Sequence, residues 1–267
     1  MSIAAPAGIF AGVTVTAGDG IVVNGAGIKV ELRGVSITGL GGVTGINIQN
    51  AAKVVIADCR VSGMSGSGLA NVGAVNLHVQ DSIFRDNGGA GVSLTSGATT
   101  LLRVVSRNNG GTGATASGVT LSLIDSQISY NIGTGIAVNS FGYASVNNTV
   151  IQLNAGSGID LTSGANARID RSVISVNGTY GVHAASGSEV WLLRSTIQDN
   201  GQLDGSASEV CACAPFTGVR MSDNAVLSGV SLTALETVTN STIALYTNNA
   251  ILGGQLGSGT FQTIPLR

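Results

Sequence analysis

Charged residues are 10% of this 267-residue chain and aromatics 4%, and each scarcity removes a class of protein. The 12 basic and 14 acidic side chains are thinly spread and nearly cancel, which leaves no electrostatic footprint for nucleic acid or an acidic membrane surface. Although mean hydropathy is +0.39, no run approaches the roughly 18 uninterrupted apolar residues of a membrane helix, so no span is expected. Long helix formers are too few for a bundle. Three cysteines, Cys59, Cys211 and Cys213, cannot make a disulfide framework. The opening MSIAAPAGIF has neither the basic nor the long apolar region of a secretion signal; such a signal is either absent from the native protein or removed from this sequence.

What is abundant is glycine, 40 residues, with many Val, Ile, Ser, Thr and Asn, and the glycines recur. Gly45, Gly68, Gly91, Gly113, Gly135, Gly158 and Gly181 open successive lines at intervals of 23, 23, 22, 22, 23 and 23 residues. If lines stack one strand spacing apart, equivalent residues lie ~4.8 Å from one another and columns of the alignment become physical ladders. Three columns read as aliphatic interior: Ile136, Ile159 and Val182 after the glycine, Val146, Ile169 and Leu192 in mid-line, and Ile151, Ile174 and Ile197 later. Cys59, Ser82, Val104, Ser126, Thr149, Ser172 and Ser195 form a small, mostly hydroxyl column. Four residues before the next glycine stand Asn87, Asn109, Asn131, Asn154, Asn177 and Asn200, expected to mark a bend, tolerate left-handed backbone and bond to the Asn above and below. Three short alternating strands per line predict an all-β, single-domain parallel β-helix of roughly ten coils.

A leucine-rich repeat would put Leu where this chain has Ser126, Thr149 and Ser172, and would need a helical segment; a calcium-binding nonapeptide roll would need GGxGxDxUx, which is absent. The pattern Gly-Ile-x-Leu-x-Ser-Gly-Ala, then Ile-Asp-x-Ser-x-Ile-x-x-Asn-Gly, in Gly158 to Gly178, resembles the right-handed parallel β-helix repeat of the pectin lyase-like superfamily. The stretch from Val30 to Gly63 is similar to bacterial β-helix repeat proteins of unassigned function. Within one domain over 1–267, residues 1–44 read as irregular first coils without a clear cap and 45–200 as regular coils. Residues 201–217 read as an inserted loop, because the next plausible line start, Gly218, comes late by about 14 residues, and 218–267 as less regular final coils.

Enzymes of that superfamily commonly work on one exposed strand face, with stacked Asp for calcium or acid/base roles and Arg or Lys for a substrate carboxylate. The matching column is Asp58, Asp81, Arg103, Asp125, Asn148, Arg171 and Arg194, flanked by Arg60, Arg85 and Arg107. Asp58 and Asp81 are a candidate carboxylate pair ~5 Å apart, with Arg85, Arg103 and Arg107 receiving an anionic sugar. The alternative is a solvated ladder of alternating charge in which each pair contributes ~0 to 1 kcal/mol. No cofactor is implied: calcium takes about 6 to 8 oxygens, and the column offers two carboxylates among arginines. The polygalacturonase and epimerase signatures of the superfamily are absent, and no motif singles out a lyase arginine.

His78 and His183 lie on different columns and read as solvated surface histidines. Cys211 and Cys213 supply two of the four ligands of a structural zinc and read as loop thiols, so no metal site is assigned. Trp191 beside Arg168 reads as a cation–π pair before a saccharide site. The leading reading is a non-catalytic scaffold, secreted or at the cell surface, adhesin-like or assembling through uncapped coil ends. The second is an enzyme or binder acting on acidic polysaccharide, of lyase, hydrolase or epimerase type.

Overall fold

Alternation with period two forces each short strand to bury one face, and three such strands per line close a coil around a shared interior. The computed structural model describes residues 1–6, 9–201, 208–228, 233–246 and 248–265. The chain winds as a right-handed β-helix with every strand pairing parallel to its equivalents in adjoining coils. Counting from each line-opening glycine, Ile159–Leu161 is a strand of a first sheet, Asn166–Asp170 of a second and Val173–Ser175 of a third. The 22- and 23-residue steps hold throughout the regular coils: Val92 pairs with Leu69 and Ala114, Ile136 with Ile159, and Ile159 with Val182. In one coil the first two sheets are joined by the uninterrupted strand Ile46–Ala57.

The interior is one continuous apolar column. Ile136, Val146, Ile151, Ile159, Ile169 and Ile174 are all buried within it, as are Val15, Val23, Val30 and Leu32 in the irregular first coils. Phe84, the largest fully buried side chain, has Ser106 as its neighbour in the next coil. The small serine makes room there, and its hydroxyl donates to the carbonyl of Gly113 at 2.7 Å.

Two polar ladders line the corners. In the first, each Asn Nδ2 donates to the Oδ1 of the Asn one coil on, at 3.0 Å from Asn87, 2.9 Å from Asn109, 2.8 Å from Asn131, 2.9 Å from Asn154 and 2.8 Å from Asn177. The same Oδ1 atoms also accept a backbone N–H, and the second amide hydrogen goes to a carbonyl such as Ile128 or Ile151. Every polar atom of a buried amide is thereby paired, which removes the desolvation penalty of burying it. In the second ladder, the backbone N–H of Val104, Ser126, Thr149 and Ser172 donates to the hydroxyl of Ser126, Thr149, Ser172 and Ser195. Cys59 heads that column and reaches the hydroxyl of Ser82 through its own N–H.

Three sequence expectations are corrected. The left-handed residue at the ladder bend is not the Asn but the one before it: Asp86, Asn108, Tyr130, Leu153, Val176 and Asp199 have φ of 54 to 57°. Gly135 and its equivalents are required by proximity, since a Cβ there would sit 2.5 Å from the carbonyl oxygen of Gly158 and 2.9 Å from Asn154 Nδ2. Second, the expected loop 201–217 contains the strand Ser208–Ala212, paired with Val182–Ala184; Val182 meets Val210, 28 residues on. The line start after Gly181 is therefore Glu209, and Gly218 begins a strand of the second sheet opposite Glu189. Residues 202–207 of that expected loop lie outside the described ones. Third, Cys211 and Cys213 are joined by a disulfide, and Cys211 is fully buried in that strand.

Candidate functional site

The charged column picked out from sequence is not on a strand face. Asp58, Asp81, Arg103, Asp125, Asn148, Arg171 and Arg194 all take φ of 46 to 55°, because each occupies the tight corner between second and third sheets, one residue before the hydroxyl column. Two neighbouring pairs within the column are engaged with one another, Asp81 with Arg103 and Asp125 with Asn148. Arg103 donates Nε and Nη2 to the two carboxylate oxygens of Asp81 at 2.6 and 2.8 Å, and that hydrogen bonding holds the Asp81 carboxyl below its usual range. Arg33 reaches Asp58 at 3.3 Å, Asn148 donates to Asp125 at 2.7 Å, and Arg85 pairs with its neighbour Asp86 at 2.8 Å. Arg107 is the register partner of Arg85 on the third sheet, away from that corner. Asp58 and Asp81 are each bound to an arginine, Asp81 by Arg103 within the column and Asp58 by Arg33 outside it.

A different face carries a groove. On the outer side of the second sheet, Ser145, Arg168, Trp191, Arg220 and Ala244 stack in one column through successive register pairs. The strands that carry them, Tyr143–Asn147, Asn166–Asp170, Glu189–Leu193, Gly218–Ser222 and Thr242–Tyr246, cover five coils, or ~20 Å. Two adjoining depressions of about 270 and 580 Å³ share Arg168 and Trp191 in their walls. Phe141 and Tyr143 close one end and Tyr246 the other.

Local chemistry explains the groove. Phe141 has left-handed backbone in the turn between first and second sheets, and its ring lies over Gly164, where a Cβ would come within 2.6 Å of it. Phe141 is 83% exposed. The Arg220 guanidinium lies 5.6 Å from the Trp191 ring centroid and pairs with Glu189 at 3.2 Å, while Arg168 flanks Trp191 from the other side. Arg194 forks onto both oxygens of Asp170, and with Arg171 and Arg168 nearby it keeps that carboxyl below its usual range. Four of the chain's 12 basic residues thus cluster around this face against the acids Asp170 and Glu189.

Sequence reasoning had placed Arg168 beside Trp191 but missed Arg220 and Tyr246, since their column positions depend on where the coil after Asn200 restarts. Phe141 and Tyr143 flank Gly142 in the sequence, and nothing in that pattern places them on this face. His78 sits on the second sheet with its Nε2 3.2 Å from Gln80 Oε1, and His183 on the first with Nδ1 2.7 Å from Asp160 Oδ1. Among the described residues no helix is long and apolar enough to cross a membrane.

The fold is shared with known structures. The A-module of the Azotobacter vinelandii mannuronan C-5 epimerase AlgE4 superposes with a TM-score of 0.79 at 17% identity, covering 96% of this chain and 81% of that one. For the AlgE6 A-module of the same organism the values are 0.67, 16%, 95% and 80%. Tailspike protein 2 of an Escherichia coli O157:H7 bacteriophage gives 0.63 at 11% identity, with 88% of this chain and 38% of that chain covered. No curated protein is matched by the sequence. A family model described as the right handed beta helix region matches residues 7–122 and 106–260. With parallel three-sheet coils and that match over nearly its whole length, the chain belongs to the right-handed β-helix family and has the pectin lyase-like fold.

Proposed function

We propose that this protein binds an anionic polysaccharide along the outer face of its second sheet. The observation that carries the reading is the column in which Trp191 stands between Arg168 and Arg220, inside a groove ended by the rings of Phe141, Tyr143 and Tyr246. Flat sugar faces stack on Trp, Tyr and Phe, and guanidinium groups fork onto carboxylates. An extended chain of several uronate residues fits the ~20 Å of five coils. The similar folds named for mannuronan epimerisation support this ligand class. Glu189 and Asp170, the carboxylates on this face, are committed to Arg220 and Arg194, so the geometry favours holding a chain over cleaving it. The scaffold reading has no observation of its own in its favour.

Trp191 is the single tryptophan of the chain, so its fluorescence reports on this groove alone. Titration with polymannuronate or polygalacturonate changes the emission saturably and a neutral glucan does not. Removing one charge-assisted contact worth about 1.5 kcal/mol or more weakens binding roughly tenfold in Arg168→Gln and Arg220→Gln. Equal response to neutral and acidic polymers, or unaltered affinity in both variants, overturns the reading.

A further inference from the structure

The first sheet carries a second set of side chains that the groove does not use. Along its outer face Asp160, His183, Cys211 and Glu236 are consecutive register partners, one per coil. Val210 and Ala212 belong to the core cluster, which turns Cys211 to the opposite, outer side with His183. Asp160 Oδ1 lies 2.7 Å from His183 Nδ1, and the ring of Tyr180 stacks on the imidazole at a centroid distance of 4.8 Å. Further along the axis, the two sulfurs of Cys211 and Cys213 and one carboxylate oxygen of Glu236 lie within 4.8 Å of one another. Ser208 Oγ donates to Glu236 Oε2 at 3.2 Å and orients it.

The disulfide between Cys211 and Cys213 encloses one intervening residue. Stabilisation by a cross-link grows with the loop it closes, so so small a ring adds little as a staple. We propose that this bridge is the locked form of a thiolate metal site for Zn²⁺, opened by a dithiol reductant. Exchange begins at Cys213, the more exposed of the two residues. Two electrons and two protons pass from the dithiol, which becomes a disulfide, to give Cys211 and Cys213 as free thiols. Zn²⁺ then displaces both thiol protons and takes the two sulfurs and a Glu236 oxygen, with water in the fourth position, a soft and borderline set suited to zinc. Reduction thereby creates a site that oxidation closes.

The test uses the full chain, oxidised and after treatment with a water-soluble phosphine, which reduces the bridge without competing strongly for metal. Zn²⁺ is titrated against a chromophoric chelator, and Co²⁺ replaces it as a spectroscopic probe. One Zn²⁺ per reduced chain, none per oxidised chain, and a sulfur-to-cobalt charge-transfer band are expected. Glu236→Gln, which leaves both cysteines in place, binds at least tenfold more weakly. No stoichiometric metal after reduction, equal binding by the oxidised chain, a cobalt spectrum without sulfur ligation, or unchanged affinity in Glu236→Gln each overturns the proposal. Circular dichroism of the variant confirms that the β-helix is intact.

Discussion

Glu209 offers the sharpest test of how the asparagine ladder ends. It stands where the regular coils have glycine, and its carboxylate accepts the backbone N–H of Asn200 at 3.1 Å and its Nδ2, taking over the role of a further asparagine. The side chain is fully buried. Burial outweighs those hydrogen bonds and, with Asp199 nearby, pushes its pKa from 4.5 up to about 7. Between those values the folded state holds a proton that the unfolded chain has lost, so stability falls as pH rises. The contribution is complete below about pH 4.5 and gone above about 7. A shift of about 2.5 units corresponds to roughly 3 kcal/mol. In Glu209→Gln the oxygen acceptor stays and the titration goes, so the stability of the variant relative to the wild type rises by roughly that amount from pH 4.5 to pH 8. For a chain of this size the melting-temperature difference widens by roughly 6 to 12 °C. Trp191 lies one coil before Glu209, so its fluorescence in thermal or urea unfolding at several pH values reads the coils concerned. Parallel pH profiles for the two proteins would refute the reasoning.

The other predictions concern the ladders and corners. Asn154→Ala leaves the N–H and amide of Asn131 without their acceptor in the interior, and urea unfolding should show a loss of roughly 3 kcal/mol or more. Val176, β-branched in a left-handed position at φ 55°, is strained; Val176→Asn should gain about 1 kcal/mol by the same measurement. Asp81→Asn breaks an exposed pair with Arg103 and should leave both the unfolding midpoint and polyuronate binding unchanged within error. Asp81 ionises more readily when folded, so whatever it adds is present above its ordinary pKa and fades as pH falls, opposite in sign to Glu209.

The coil path was legible because burial and hydrogen bonding constrain every line alike. An aliphatic residue is needed at positions such as Ile136 and Ile159, and an amide at Asn131 and Asn154, so period and interior could be read directly. The corners were not. Asp81 and Arg103 look like outward strand residues until backbone dihedrals show that each fills a left-handed turn, a conformation open to Asp, Asn, Arg, Leu or Val once the adjacent ladder holds the bend. The groove was less legible still, because Arg220 joins the column of Arg168 and Trp191 only if Glu209, a residue unlike glycine, is accepted as a line start. Cys211 and Glu236 were displaced by the same misreading.

The amides of the buried row all donate the same way, from Asn87 toward Asn200, and never back. Their dipoles therefore add, giving the rod a polarity of its own that begins on an oxygen receiving Met64 N–H and terminates on a carboxylate. A coil duplicated between those two points would inherit both a giver and a taker. One spliced in after Asn200 would sever the row from its acidic stopper, so growth or shortening of this rod by whole turns is free in its middle and forbidden at that joint.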